Sequence, residues 1–184
     1  KTTFTVSSKE GLERTSKHRE YRGVNNEIHQ IARLVFRNVA SSTNVRSMVA
    51  CILPPRCFCP NSACVVLPKK DKAVLTGTQN QRQIAYLAAI FNSMIFDFLI
   101  RTRISMNLNF FYIYQTPMPA LLHGEVAKQI IETSARLSSV DERFKEFASS
   151  SSAHFGPLNM RKRIELTARL NVLVAKYYGL NKEQ

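Results

Sequence analysis

Three arginines, Arg33, Arg37 and Arg46, bracket the run Ser41-Ser42-Thr43-Asn44. Short hydroxyl and amide groups beside fixed cations suit contacts to phosphate oxygens; a guanidinium can also fork onto a guanine edge, and an Asn amide can pair with adenine. The plainer alternative is a solvated turn in which Ser and Asn bond their own backbone. The same choice applies to Arg101, Arg103, Asn107 and Asn109, and Lys69 and Lys70 in the run Lys69-Lys70-Asp71-Lys72 add two more cations. Ser42, Thr43 and Asn44 with the arginines thus form one candidate nucleic-acid contact, and the 101–109 segment a second. Positioning of phosphates is favoured over base reading for both.

Other chemistry finds little purchase. Cys51, Cys57, Cys59 and Cys64 fall within fourteen positions, but the spacing C-x5-C-x-C-x4-C lacks the paired C-x2-C knuckles of a zinc site. Strand geometry around Cys57 and Cys59 would aim both beneath a sheet as small hydrophobes. A disulfide framework is not expected in a chain able to build a core. His18, His29, His123 and His154 are scattered singles and read as surface groups. Among only six glycines there is no phosphate-cradling loop, and no Asp…Glu-x-Lys, H-E-x-x-H or G-x-S-x-G cluster occurs.

Charge narrows the partner. The 184 residues carry a formal net charge of +13, and residues 1–72 alone hold 13 basic and 5 acidic groups. Such an excess favours a polyanion, because Lys and Arg displace counterions from phosphates. Solvated cations with no ligand are the bland alternative. The longest apolar stretch, Ile84 to Ile100, contains Asn92, Ser93 and Asp97, so it reads as a core helix rather than a membrane span. No secretory signal is apparent, and the start at Lys1 reads as a piece of a larger polypeptide in the cytoplasm.

The elements that must position these groups follow from periodicity. Residues 1–29 read as a polar arm with a short helix from Lys9 to Glu20. Ile31–Val39, Arg46–Leu53 and Ala63–Leu67 read as strands, with Pro54-Pro55 ending the second and an exposed loop from Lys69 to Thr78. Thr78 and Gln81 offer a capping box to a long helix whose Ile84, Leu87, Ala88, Phe91, Ile95 and Leu99 share one face. Phe110–Tyr114 reads as a short aromatic strand stopped by Pro117 and Pro119. Gly124–Ala148 then reads as helix, with a second capping box at Ser139 and Glu142. Ser149–Ser152 reads as a flexible linker and Met160–Tyr178 as a last helix ended by Gly179. The predicted order is β-β-β-α-β followed by helices. This is an α+β fold with a small mixed sheet, a long packed helix and C-terminal helices, divided at residues 1–120 and 121–184.

Three blocks in this order carry a family resemblance. YLAAIFNSMIFDFLIRTRISMNLNFFYIYQTPMP, Tyr86 to Pro119, resembles the segment LLALLNSKLFDFLLR…NLNFFxLxQLPxP of the C-terminal specificity domain in TaqI-like and fused type IIG N6-adenine DNA methyltransferases. Ala32 to Pro68 is similar to that family's R-ASSTNERTLIAAIIPPGVFCGNSL segment, and Arg163 to Gln184 to its closing helix. Arg56 departs from the pattern, standing where a Gly is usual after the proline pair, and Met106 stands in a turn that is often Gly-rich. The resemblance implies a DNA target-recognition domain in a bacterial or archaeal restriction-modification enzyme. Its partners would be duplex DNA and the catalytic methyltransferase domain of the same polypeptide, and S-adenosylmethionine would be the parent's cofactor.

The catalytic part is not expected within these residues. Adenine methylation uses an Asp/Asn-Pro-Pro-aromatic tetrapeptide around the flipped base, whereas Leu53-Pro54-Pro55-Arg56 has only the prolines. Two other functions stay open. Phe110, Phe111, Tyr112 and Tyr114 could stack on unpaired RNA bases, though in a strand half would face the core. A helical assembly module with incidental charge is the other.

Overall fold

A computed structural model describes residues 28–181 except 68, 71, 72, 75, 76 and 122. The helix expected between Lys9 and Glu20, and His18 with it, lies outside the described residues. After a one-turn 3-10 helix at Ile28–Gln30, β1 (Arg33–Arg37), β2 (Ala50–Leu53) and β3 (Ala63–Val66) form a sheet of order β2-β1-β3. Both pairings are antiparallel, with Leu34 opposite Ile52 and Val66, and Phe36 opposite Ala50 and Cys64. The central strand is buried along four of its five residues, as a strand paired on both edges and covered by a helix should be. Residues from Lys69 to Thr78, expected as open loop, instead contain a two-stranded ladder, β4 (Lys69–Lys70) with β5 (Ala73–Val74), and the first turn of the next helix.

The long helix is two helices. α1 (Gly77–Phe91) and α2 (Met94–Arg101) meet at a 65° bend over Asn92 and Ser93. The break has a local cause: Ser93 Oγ accepts the Phe96 amide as the N-cap of α2 and donates to the Ile90 carbonyl near the end of α1. The expectation of one shared face is therefore corrected. Ile84, Ala88 and Phe91 are buried, whereas Leu87, Ile95 and Leu99 are only partly so. Ala85, Tyr86, Ala89 and Ile90 are buried as well, so from Ile84 onward α1 is apolar nearly all round and enters the core, while its polar first turn is mostly exposed. Thr78 lies inside α1, so the predicted capping box does not form there. No single described helix is long and apolar enough to cross a membrane.

Phe110–Tyr114 is helix, not strand. α3 (Phe110–Gln115) starts at Asn109, whose Oδ1 accepts the Phe111 amide. Helical spacing buries Ile113 and sets Phe110 edge-on to Phe36, with ring centroids 5.2 Å apart. A cap and two inward apolar groups outweigh the β-propensity of an aromatic run. The order is thus five strands followed by helices, and the fold class is α+β.

α4 (Glu125–Ser138), α5 (Lys145–Ser150) and α6 (Met160–Tyr177) complete the chain. The break predicted near Ser139 is present, but its cap is Asp141, which accepts the Arg143 amide at the start of a 3-10 turn, Glu142–Phe144, while Ser139 is buried. Ser149–Ser152 is no linker: Ser149 and Ser150 end α5, Ser151 is fully buried, and the Ala153 amide folds back onto the Ala148 carbonyl. α6 buries Leu166, Leu170, Leu173 and Val174 and closes as expected at Gly179. Gly179 sits at φ 81°, its amide bonding Lys176 and the Leu180 amide bonding Ala175, which is a complete Schellman ending. α4 packs against α1 and α6, so one continuous core runs from Ala32 to Val174.

Arg56, in the turn after β2, adopts φ 61°, the left-handed conformation that the Gly usual in the resembling family would take without strain. The connector after α3 contains Pro117 and Pro119 and is held by three phenols. Tyr178 donates to the Pro117 carbonyl at 3.1 Å, Tyr86 to Pro119 at 2.6 Å and Tyr177 to Ala120 at 3.0 Å. Burial pushes the Tyr178 phenol up to about 12. Burial, then Tyr177 and Tyr178, push Tyr86 up further still.

Candidate nucleic-acid interface

The loop between β1 and β2 organises itself first. Asn44 Oδ1 accepts the Ser41 amide at 2.8 Å while the Asn44 amide bonds the Ser41 carbonyl at 3.1 Å. The Ser41 and Thr43 hydroxyls lie 2.9 Å apart, and the Thr43 amide donates to Ser41 Oγ. The polar run therefore spends much of its hydrogen bonding on its own turn, as Ser and Asn do in such loops. Ser42 and Thr43 are exposed, and Val45 at the tip is 93% exposed.

A buried carboxylate fixes this loop to the helices. Asp97, on α2 and 5% exposed, accepts the Ser47 amide at 2.9 Å and the Met48 amide at 2.7 Å through Oδ1. Its Oδ2 receives Arg101 at 2.9 Å and faces Arg46 Nε at 3.6 Å. Arg46 also donates to the Asn92 and Ser93 carbonyls at the α1–α2 bend, and Arg101 to the Val45 carbonyl at 2.7 Å. Asn92 completes the attachment through its side-chain amide, which accepts the Ala50 amide and donates to the Ala50 carbonyl. Two cations around one acid, with both of its oxygens bonded, is the condition under which a buried charge is tolerated.

The second polar segment lies beside the first. The Leu108 amide donates to the Asn38 carbonyl at 2.7 Å, and Asn107 forms an isolated antiparallel bridge with Val39. Arg103, Met106, Asn107 and Asn109 are exposed. Arg37, exposed at the end of β1, donates to the Arg46 carbonyl at 3.0 Å and approaches Asn44 Oδ1 at 3.5 Å. A guanidinium has five donors, so these bonds leave others for a ligand.

The candidate residues sort accordingly. Arg37, Ser42, Thr43, Arg103 and Asn107 are exposed on the two segments that the Val39–Asn107 bridge joins. Arg46 and Arg101 act chiefly as braces, Asn44 organises its own turn and Asn109 caps α3. Arg33 does not belong to this surface: it is 6% exposed and donates to the Cys57 carbonyl. Lys69 and Lys70 lie on β4, outside both loops. His29, expected at the surface, is buried and stacks on Phe58 with ring centroids 5.1 Å apart.

The four cysteines are free and sit at different depths. Cys57 is buried outside the regular strands, Cys51 is exposed, and Cys59 donates to the Ala63 carbonyl with its thiol pushed up by burial. Among the described residues no three His, Cys, Asp or Glu side chains could together hold a metal ion.

Asp97 and Asn92 are visible in the sequence only as polar interruptions of an apolar helix. A carboxylate in such a run implies a buried partner, and Arg101 one turn later is the available clue. Phe111 and Tyr114 are obscured when the segment is read as a strand. In a helix their i, i+3 spacing puts both on one outward face, 61% and 79% exposed. No family model, curated protein or solved structure matches the chain.

Proposed function

We propose that the chain is a non-catalytic DNA target-recognition domain of an adenine-N6 DNA-modification enzyme. Residues 1–120 would contact duplex DNA, with residues 121–184 packed behind them. The observation that carries this reading is the meeting of two polar loops distant in sequence, with Arg37 and Arg103 exposed and Asp97 bracing the ensemble from within. Both loops lie in the blocks that resemble the methyltransferase specificity domain, and the net charge of +13 suits a polyphosphate partner. The chemistry explains why such a domain needs no reactive group. One domain extrudes and methylates an adenine with S-adenosylmethionine, while another grips the duplex and sets register through phosphates.

Titration of a fluorescent duplex with the chain tests the reading. Non-specific dissociation constants of ~10⁻⁴ to 10⁻⁶ M are typical at physiological salt, and log affinity should fall linearly with log salt. Absence of binding at low salt, or binding indifferent to salt, refutes it. Tighter binding to single-stranded RNA than to duplex DNA would favour an RNA-binding module instead.

A further inference from the structure

The outward face of α3 carries two exposed aromatic rings whose ring contacts are made within their own helix, Phe111 with Tyr112 and Tyr114 with Phe110. Phe111 and Tyr114 are the exposed aromatic groups of this helix, and the interior gives no reason for their exposure, since Phe110 and Ile113 already supply its core contacts. Tyr114 is not a loose side chain: its ring stacks on Phe110 at 5.9 Å and 26°, and Phe110 in turn meets Phe36 of the central strand. The chain of rings fixes the plane of the outermost one. The helix also begins where the two basic loops meet, because Leu108 is bonded to Asn38 and Asn107 is bridged to Val39, just beyond Arg37. An oriented aromatic surface next to exposed guanidinium groups is the arrangement that binds a nucleic-acid strand by stacking on its bases while cations hold its phosphates.

We propose that Phe111 and Tyr114 form a stacking platform for an unpaired base of the bound DNA, so that the domain prefers a duplex containing a locally opened nucleotide to one that is fully paired. The proposal rests on the DNA-binding reading above. A fully stacked duplex offers no free base face, so its binding depends on the cationic loops alone. An opened step adds stacking on α3. Charge complementarity selects the strand as occupant over an apolar protein surface, since α3 begins just after the Asn107–Val39 bridge and the two segments joined there carry the exposed Arg37 and Arg103.

The test uses the full chain and two duplexes of the same sequence, one fully paired and one with a single unpaired 2-aminopurine. The wild type should bind the second about tenfold tighter, with quenching of the 2-aminopurine fluorescence. Phe111→Ala with Tyr114→Ala should abolish that preference and the quenching while leaving affinity for the paired duplex, and its salt slope, unchanged. Tyr114→Phe should retain both, since it keeps the ring. Equal affinity for the two duplexes, or a preference that survives the double substitution, overturns the platform while the DNA-binding reading stands. Failure to bind either duplex overturns both. A concentration-dependent dimer that the double substitution dissolves would assign the face to a second copy of the chain, and would also overturn the proposal.

Discussion

Replacing Asp97 with Ala tests the attachment of the loop most directly. Its Oδ1 is the acceptor for the Ser47 and Met48 amides, and Ser47 and Met48 are fully buried. Alanine leaves both donors without that partner, at about 1–3 kcal/mol for each buried group. The ion pairs add less, because the Arg46 and Arg101 side chains are 36% and 35% exposed and remain partly hydrated. Together the loss should be about 3–5 kcal/mol, within the range for breaking a buried pair. For a domain of this size that corresponds to a melting temperature lower by roughly 6–20 °C. Asp97→Asn keeps one oxygen for the two amides but turns an NH2 toward Arg101, and should cost less, about 1–3 kcal/mol. Urea unfolding gives the energies, and amide hydrogen exchange at Ser47 and Met48 locates them. A loss below about 1 kcal/mol in Asp97→Ala, with both amides still protected, would refute the bracing role.

Arg37→Ala and Arg103→Ala should each weaken duplex binding evenly across sequences and lower the salt slope by about one; loss of ~1–3 kcal/mol of discrimination at a single base pair would instead identify a base-reading residue. Arg56→Gly should raise stability by about 1 kcal/mol in thermal or urea unfolding by relieving a left-handed backbone, and a destabilised variant would show that the arginine side chain outweighs the strain. The raised Tyr178 phenol contributes stability that is fully present below the unfolded value near 10 and lost as pH rises through about 12. Tyrosinate absorbance should therefore resolve a late-titrating group, and Tyr178→Phe should flatten the alkaline decline. S-adenosylmethionine should give no saturable heat with this chain by calorimetry, and a clear isotherm would reveal an overlooked cofactor site.

What could be read from the sequence depended on the range of the forces involved. The central strand, the Pro54 stop, the last helix and its Gly179 ending follow from periodicity and turn chemistry that act within a few residues, and they stand where expected. The bend at Ser93 is also written locally, as a capping serine between apolar turns, but the continuous apolar pattern masks it. The α3 helix escapes a local reading because its β-favouring aromatics gain from contacts to Phe36, which lies far away in the chain. The meeting of the two candidate loops was legible only as similar composition. Their adjacency depends on Leu108 finding Asn38, and the loss of Arg33 from that surface depends on its place at the buried far end of the central strand, against Cys57, rather than at the loop end where Arg37 emerges.

The phenols that hold the connector link distant ends of the molecule. Pro117 and Pro119 have no amide hydrogen, so the strap offers mostly carbonyls, and Tyr177 and Tyr178 reach those from the end of the last helix. Loosening the C-terminal turn would therefore free the rear anchor of α3, although 61 positions separate Tyr178 from Pro117. Helix, strap and terminus should open as one unit in native-state exchange, at a free energy below that of global unfolding. Removing the two phenols would then be felt at the loop surface as added motion, and anything that grips the C-terminal helix would stiffen that surface from behind.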